Sequence, residues 1–174
     1  MEEKIKAVIR DVVDFPKKGI IFKDITPILE NPILTKEVNE EFKRRVSHLK
    51  IDAVMGVESR GFFWGLLLSQ LLEVPFIPVR KKGKLPYKTI AYKYDLEYGS
   101  AEIEVHIDAI KPGSNILIHD DLLATGGTAI AAAEIIKMQK ATVCGFAFLV
   151  ILDFLNGEQK LKAYSDNIIG LVNY

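Results

Sequence analysis

Cysteine is nearly absent. The 174-residue chain has one, Cys144. An intramolecular disulfide is excluded, which fits a reducing compartment. Cys144 lies in an apolar run, where an inert buried thiol is expected rather than a nucleophile. An excess of either charge is also missing. Lysine plus arginine and aspartate plus glutamate both number 23, so the formal net charge is zero. Nothing draws the chain as a whole toward nucleic acid or an anionic membrane, and weak mutual repulsion makes self-association easy. Long hydrophobic runs are missing as well. The longest, Phe62 to Leu72, is interrupted by Gly65, Ser69 and Gln70. It falls short of the roughly 20 residues that a membrane span requires. Residues 1–10 are charged throughout, so a secretory signal is not expected. Apolar residues are abundant, at 49%. The expectation is one soluble, cytoplasmic domain over residues 1–174, built on a single core.

The most informative stretch is NILIHDDLLATGGT, residues 115–128. Asn115 to Ile118 reads as the end of a buried strand. Asp120 and Asp121 follow, then Ala124, Thr125, Gly126, Gly127 and Thr128, then an alanine-rich helical run to Lys140. Glycine has no Cβ to hold an anion off, and a helix N-terminus attracts negative charge. The loop therefore suits a phosphate. The acidic pair cannot serve that phosphate, so it faces hydroxyls or a metal on the same ligand. A lone Gly-Gly-Thr would read as an ordinary strand-to-helix turn. Two acids directly after an apolar strand change that reading, because open α/β sheets bind ligands at the carboxyl ends of their strands.

Other segments repeat the strand-loop-helix pattern. Residues 2–13 space Ile5, Val8, Ile9 and Val12 as one helical face. Ile20 to Pro27 is short, apolar and proline-terminated. Leu34 to Leu49 reads as an amphipathic helix. The strand Ile51–Val57 runs into Glu58-Ser59-Arg60-Gly61 and then the apolar helix Phe62–Leu72. A strand Pro75–Val79 leads into a basic cluster with Arg80, Lys81, Lys82 and Lys84. Tyr87–Tyr94 and Ala101–Ile107 suggest a hairpin whose tip, Asp95 to Ser100, is a lid candidate. Thr142–Leu152 reads as a buried strand, Phe154–Tyr164 as irregular, and Asn167–Val172 as an edge strand. The alternation predicts an α/β fold with a mainly parallel central sheet flanked by helices. Residues 1–33 would form an N-terminal helix and flap.

Taken together, these motifs resemble the type I phosphoribosyltransferases. Residues 115–128 are similar to that family's signature for phosphoribosyl pyrophosphate (PRPP). DFPKKGIIFKDITP (14–27) resembles its flap over a purine base. ESRGF (58–62) and VRKKGKLP (79–86) resemble its diphosphate segments, and LEYG (96–99) its flexible catalytic loop. One departure is His119, where a small aliphatic is usual; it reads as a strand residue pointing away from the ligand.

The resemblance implies transfer of ribose 5-phosphate from PRPP to adenine, giving AMP and pyrophosphate, with Mg²⁺ held mainly by the substrate. It implies that Phe22 stacks on the base while the backbones of Ile21 and Lys23 read its edge. Arg60, Arg80, Lys81 and Lys84 would bind the diphosphate, in part across a homodimer. Asp120 and Asp121 would hold the ribose, and Ala124 to Thr128 the 5-phosphate. Glu97 would act on the purine, with Tyr98 beside it. A cis peptide is expected at Ser59–Arg60. Two alternatives stay open: a purine- or PRPP-sensing regulator, and a hypoxanthine, guanine or xanthine transferase.

Overall fold

The computed structural model describes residues 1–95 and 99–174. Its centre is a seven-stranded sheet in the order β5-β6-β4-β3-β7-β8-β9. The strands are β3 (Ala53–Val57), β4 (Phe76–Lys81), β5 (Thr89–Asp95), β6 (Ser100–His106), β7 (Asn115–Leu123), β8 (Thr142–Ile151) and β9 (Ile168–Asn173). β4, β3, β7, β8 and β9 are mutually parallel, whereas β6 and β5 add on antiparallel. The expected lid hairpin is thus continuous with the central sheet, joined where Arg80 pairs with Glu104.

Helices cover both faces. The helix α3 (Pro32–Val46) opens on Asn31, whose side chain accepts the Leu34 N–H at 3.0 Å, with Pro32 at its first position. Capping and a preset proline φ explain why it begins before Leu34. Together with α4 (Gly61–Leu71) it buries Phe42, Trp64 and Leu68 against Val54, Leu117 and Leu149. On the other face α5 (Gly127–Met138) packs Ala129 and Ala131–Ala133 against Met55, Ile118 and Phe148. Every residue of β3 is buried. A parallel strand covered on both faces must be apolar throughout, as AVMGV is.

Four expectations need correction. Residues 2–13 are not one helix: α1 spans Glu2–Lys6, and Arg10–Val13 forms β1, antiparallel to β2 (Ile21–Asp24). Backbone pairing of Val12 with Phe22 overrides the local helical spacing. The strand at 115 does not stop before the acids. It continues to Leu123 because β8 supplies partners as far as Ile151. Residues 154–164 are not irregular throughout, since a 3-10 turn (Asp153–Leu155) leads into α6 (Gly157–Leu161). The cis bond joins Glu58 to Ser59, not Ser59 to Arg60. The chain turns directly after Glu58, the last residue still held to β4, through its N–H to the Val79 carbonyl at 3.0 Å. A short helix, α2 (Thr26–Leu29), completes the flap.

Candidate active site

The polar ends of β3, β4 and β7 lie side by side. β3 sits between β4 and β7, so the chain leaves it in two opposite directions. Such a reversal opens a crevice at the strand carboxyl ends. Gly61, the first residue of α4, lets that helix come close to β7. A Cβ there would fall 2.8 Å from Asp120 Oδ1 and 3.0 Å from the His119 carbonyl.

The acidic pair stands in this crevice. Asp120 Oδ1 accepts the Asp121 N–H at 2.9 Å, and Asp121 Oδ2 lies 3.0 Å from Arg60 Nε. Burial and the neighbouring Asp121 charge push the Asp120 carboxyl well above the usual aspartate range. Burial also raises Asp121, with Arg60 opposing it. Two acids that resist joint ionisation are poised to meet positive charge.

The small-residue loop follows. Gly126 caps α5 with φ +84°, and a Cβ there would press on the Gly157 carbonyl at 3.3 Å. Glycine alone suits both constraints. A glycine cap brings no side-chain acceptor, so the N–H groups at the start of α5 face outward, an arrangement that binds anions. Thr128 Oγ1 is 3.1 Å from the Tyr94 hydroxyl on β5. Lys160 Nζ donates to the Thr125 carbonyl at 3.1 Å, placing a further cation beside the loop.

Arg60 links the acids to the flap. Its guanidinium lies 4.8 Å from the Phe22 ring centroid. Phe15 packs edge-on against the same ring at 5.1 Å. Lys23 is turned away: its ammonium pairs with Asp11 at 2.7 Å and lies over the Tyr174 ring at 3.8 Å. Only its backbone can then face a ligand, and β2, in a two-stranded sheet, keeps one open edge. Ile21 is exposed in the flap. On the far side, Arg80 Nε is held by Glu58 Oε2 at 2.9 Å, and the same oxygen accepts the Lys81 N–H at 2.9 Å. A cleft of ≈ 390 Å³ opens there, lined among others by Glu58, Lys81, Lys82, Tyr94 and Thr128.

A glycine loop at a helix start, an acid pair near the carboxyl end of β7 and an aromatic flap, all beside one crevice, invite comparison with known proteins. A model of the phosphoribosyl transferase domain matches residues 24–171. The chain belongs to the phosphoribosyltransferase family. The adenine phosphoribosyltransferase of Cytophaga hutchinsonii is 49% identical over 174 residues, covering 100% of this chain and 96% of that protein. The crystal structure of the adenine phosphoribosyltransferase from Thermoanaerobacter pseudethanolicus superimposes with TM-score 0.96 at 44% identity, covering 100% of both chains. The enzyme from Saccharomyces cerevisiae, solved with an imino-altritol bisphosphate and adenine, gives TM-score 0.90 at 38% identity, over 98% of this chain and 97% of that one.

Within this phosphoribosyltransferase fold, the crevice brings together Phe22, Arg60, Asp120, Asp121 and the loop Ala124–Thr128. Arg80 and Lys81 stand on its β4 side, while Lys84 belongs to the turn beyond. Glu97 and Tyr98 lie outside the described residues. His119 points into the core: it is fully buried, edge-on to Phe42 at 5.0 Å, and burial pushes its pKa down to about 3. Burial also pushes the Cys144 thiol up to about 11, which leaves it inert. Among the described residues, no three His, Cys, Asp or Glu side chains gather where they could hold a metal ion. Sequence reasoning missed Glu58 and Tyr94. Glu58 opens the ESRGF segment but reads as an ordinary loop acid, and Tyr94 as an ordinary strand residue.

Proposed function

We infer that this chain transfers ribose 5-phosphate from PRPP to adenine, releasing AMP and pyrophosphate, as a step of purine salvage. The observation that carries this reading is the position of Arg60, which touches both the flap ring of Phe22 and the Asp121 carboxylate. One residue thus spans the base side and the sugar side of a single site. Full-length likeness to enzymes named for adenine supports the choice of base.

In this reading the 5-phosphate sits on the N–H groups and hydroxyls of residues 124–128, at the start of α5. Breaking the ribose C1–O bond develops positive charge on the sugar, and Asp120 and Asp121 stabilise it. They also hold the ribose hydroxyls. Arg60, Arg80, Lys81 and Lys84 receive the departing diphosphate through charge-assisted hydrogen bonds. Mg²⁺ would be held mainly by PRPP oxygens, with no direct protein ligand. When bound, the ion neutralises charge on the diphosphate. Glu97, in the LEYG segment that follows β5 in the sequence, would take the purine proton as N9 attacks, with Tyr98 next to it in the chain.

A base panel tests the reading. Incubated with PRPP and Mg²⁺, the protein should release pyrophosphate with adenine and not with hypoxanthine, guanine or xanthine. Turnover of another base would replace adenine. Binding of PRPP without turnover of any base would favour a regulator.

The flap adds a prediction. Phe22 is half-buried and presents its ring to the crevice. Stacking of a base on an aromatic ring is worth roughly 1–3 kcal/mol in nucleic-acid complexes. Phe22→Ala should weaken adenine and AMP by about that amount and PRPP by much less, as read by calorimetric titration. Equal losses for both ligands would make Phe22 a packing residue.

A homodimer belongs to the same reading. Phe63, Leu66 and Leu67 are exposed along one face of α4. An apolar stripe of this kind invites a second copy, and sedimentation should show a two-chain species. No helix among the described residues is long and apolar enough to cross a membrane. The single, inert thiol suits the cytoplasm.

A further inference from the structure

Glu104 is an acid in the middle of β6, between Ile103 and Val105, and only 2% exposed. Burying a carboxylate is costly unless its oxygens are satisfied. Here they are. Oε1 accepts the N–H groups of Gly83 at 2.9 Å, Lys84 at 3.1 Å and Leu85 at 3.1 Å. Oε2 accepts the Thr89 hydroxyl at 3.0 Å, and Lys82 Nζ stands 3.7 Å away. Burial alone would raise the pKa of this group. The bonds from Leu85, Thr89, Gly83 and Lys84 overcome that and hold it below the usual glutamate value.

The segment gripped by Glu104 is the turn directly after β4. That turn carries Lys82 and Lys84, and Lys81 ends the strand before it. Gly83 at its centre has φ +84° and contributes no stiffness of its own. Cations crowded on so short a segment repel one another and would splay it open. A buried negative charge inside the turn opposes that repulsion. It also ties down the backbone through three N–H groups, and holds the Lys82 ammonium between Glu104 and Glu102, 3.7 and 3.6 Å away. Lys81 and Lys82 line the ≈ 390 Å³ cleft together with Thr128 from the phosphate helix.

We propose that Glu104 is a positioning residue for diphosphate recognition: it clamps the turn Lys82–Leu85 so that the neighbouring lysines face the cleft beside Thr128. The proposal rests on the functional reading above and adds to it the residue that shapes the diphosphate side of the site.

Glu104→Gln is the informative variant, since the amide keeps the shape and one acceptor but removes the charge. Pyrophosphate Kd and the KM for PRPP should rise roughly tenfold, the loss of about one charge-assisted bond. AMP affinity and kcat should stay within about twofold, because AMP carries no diphosphate. Thr89→Val, which removes only the Oε2 donor, should shift pyrophosphate binding in the same direction by less. Thermal unfolding of each variant accompanies the titrations. A lower melting temperature with wild-type pyrophosphate affinity would make Glu104 a purely structural acid and overturn the proposal, as would equal losses for AMP and pyrophosphate. Wild-type protein that binds no pyrophosphate would instead overturn the functional reading, and the proposal with it.

Discussion

Gly127→Val should abolish PRPP binding while leaving the fold standing. Gly127 is the first residue of α5, and a Cβ built there meets only the Tyr94 ring, at 3.7 and 3.8 Å. Those are ordinary contact distances, so the protein interior accepts a Cβ at this position. Its φ is not in the left-handed region either, unlike that of Gly126. The branched side chain instead occupies the volume over the first N–H groups of the helix, where an anion must approach. Hydrogen bonds to a charged group are worth about 1.5–3 kcal/mol each. Losing two of them lowers affinity by roughly 10²–10⁴-fold. Titration calorimetry with PRPP should show no measurable heat, while the circular dichroism spectrum matches wild type. Unchanged affinity in a folded variant would move the phosphate site away from α5.

Asp120→Asn should make the protein more stable and much slower. The native carboxyl is raised well above the usual aspartate range by burial and by the adjacent Asp121. An acid whose pKa is raised on folding destabilises the protein as pH climbs. Below the unfolded pKa, about 3.9, both states are protonated and the group costs nothing. As pH rises through that value the unfolded chain ionises first, so stability falls until the folded pKa is passed. At neutral pH the native aspartate is therefore a liability. The amide is isosteric and can still accept the Asp121 N–H, now at 2.9 Å. The melting temperature should rise by about 2–5 °C at pH 7 and stay unchanged near pH 3. Catalysis should suffer, because the carboxylate that meets the developing ribose charge is gone. A loss of roughly 10²–10³-fold in kcat matches removal of one such stabilising group. Thermal scans at both pH values and steady-state rates decide the matter. A lower melting temperature at pH 7 would refute the burial account, and retained activity would remove Asp120 from the ribose.

Both predictions follow residues that could be read from the sequence, and the reason is the same. A phosphate cradle is made of consecutive backbone groups, so Ala124 to Thr128 carry its whole instruction within a few positions. The acid pair stood out because it follows the apolar run of residues 115–118, but its place within the strand did not, since only the pairing with β8 carries β7 on to Leu123. The α/β alternation was legible because each strand and helix announces its own period. The flap was half legible: Ile20 to Pro27 stood out, but its partner strand did not. Residues 10–13 continue the helical spacing of Ile5, Val8 and Ile9, and only pairing with residues 21–24 makes them a strand.

What the tertiary structure decided was which charges meet. Glu58 and Arg80 are 22 positions apart, and they touch because β3 and β4 are neighbours. Glu104 reaches the Gly83–Leu85 turn from 19 to 21 positions away because β6 lies against β4. Arg60 joins Phe22 to Asp121 only once α4 begins beside β7. By itself the sequence determined the local backbone devices: the glycine turn, the helix start and the apolar strands. The order of the strands determined the charge pairs, because Coulomb attraction and hydrogen bonding act on distance in space, and no local pattern records that distance.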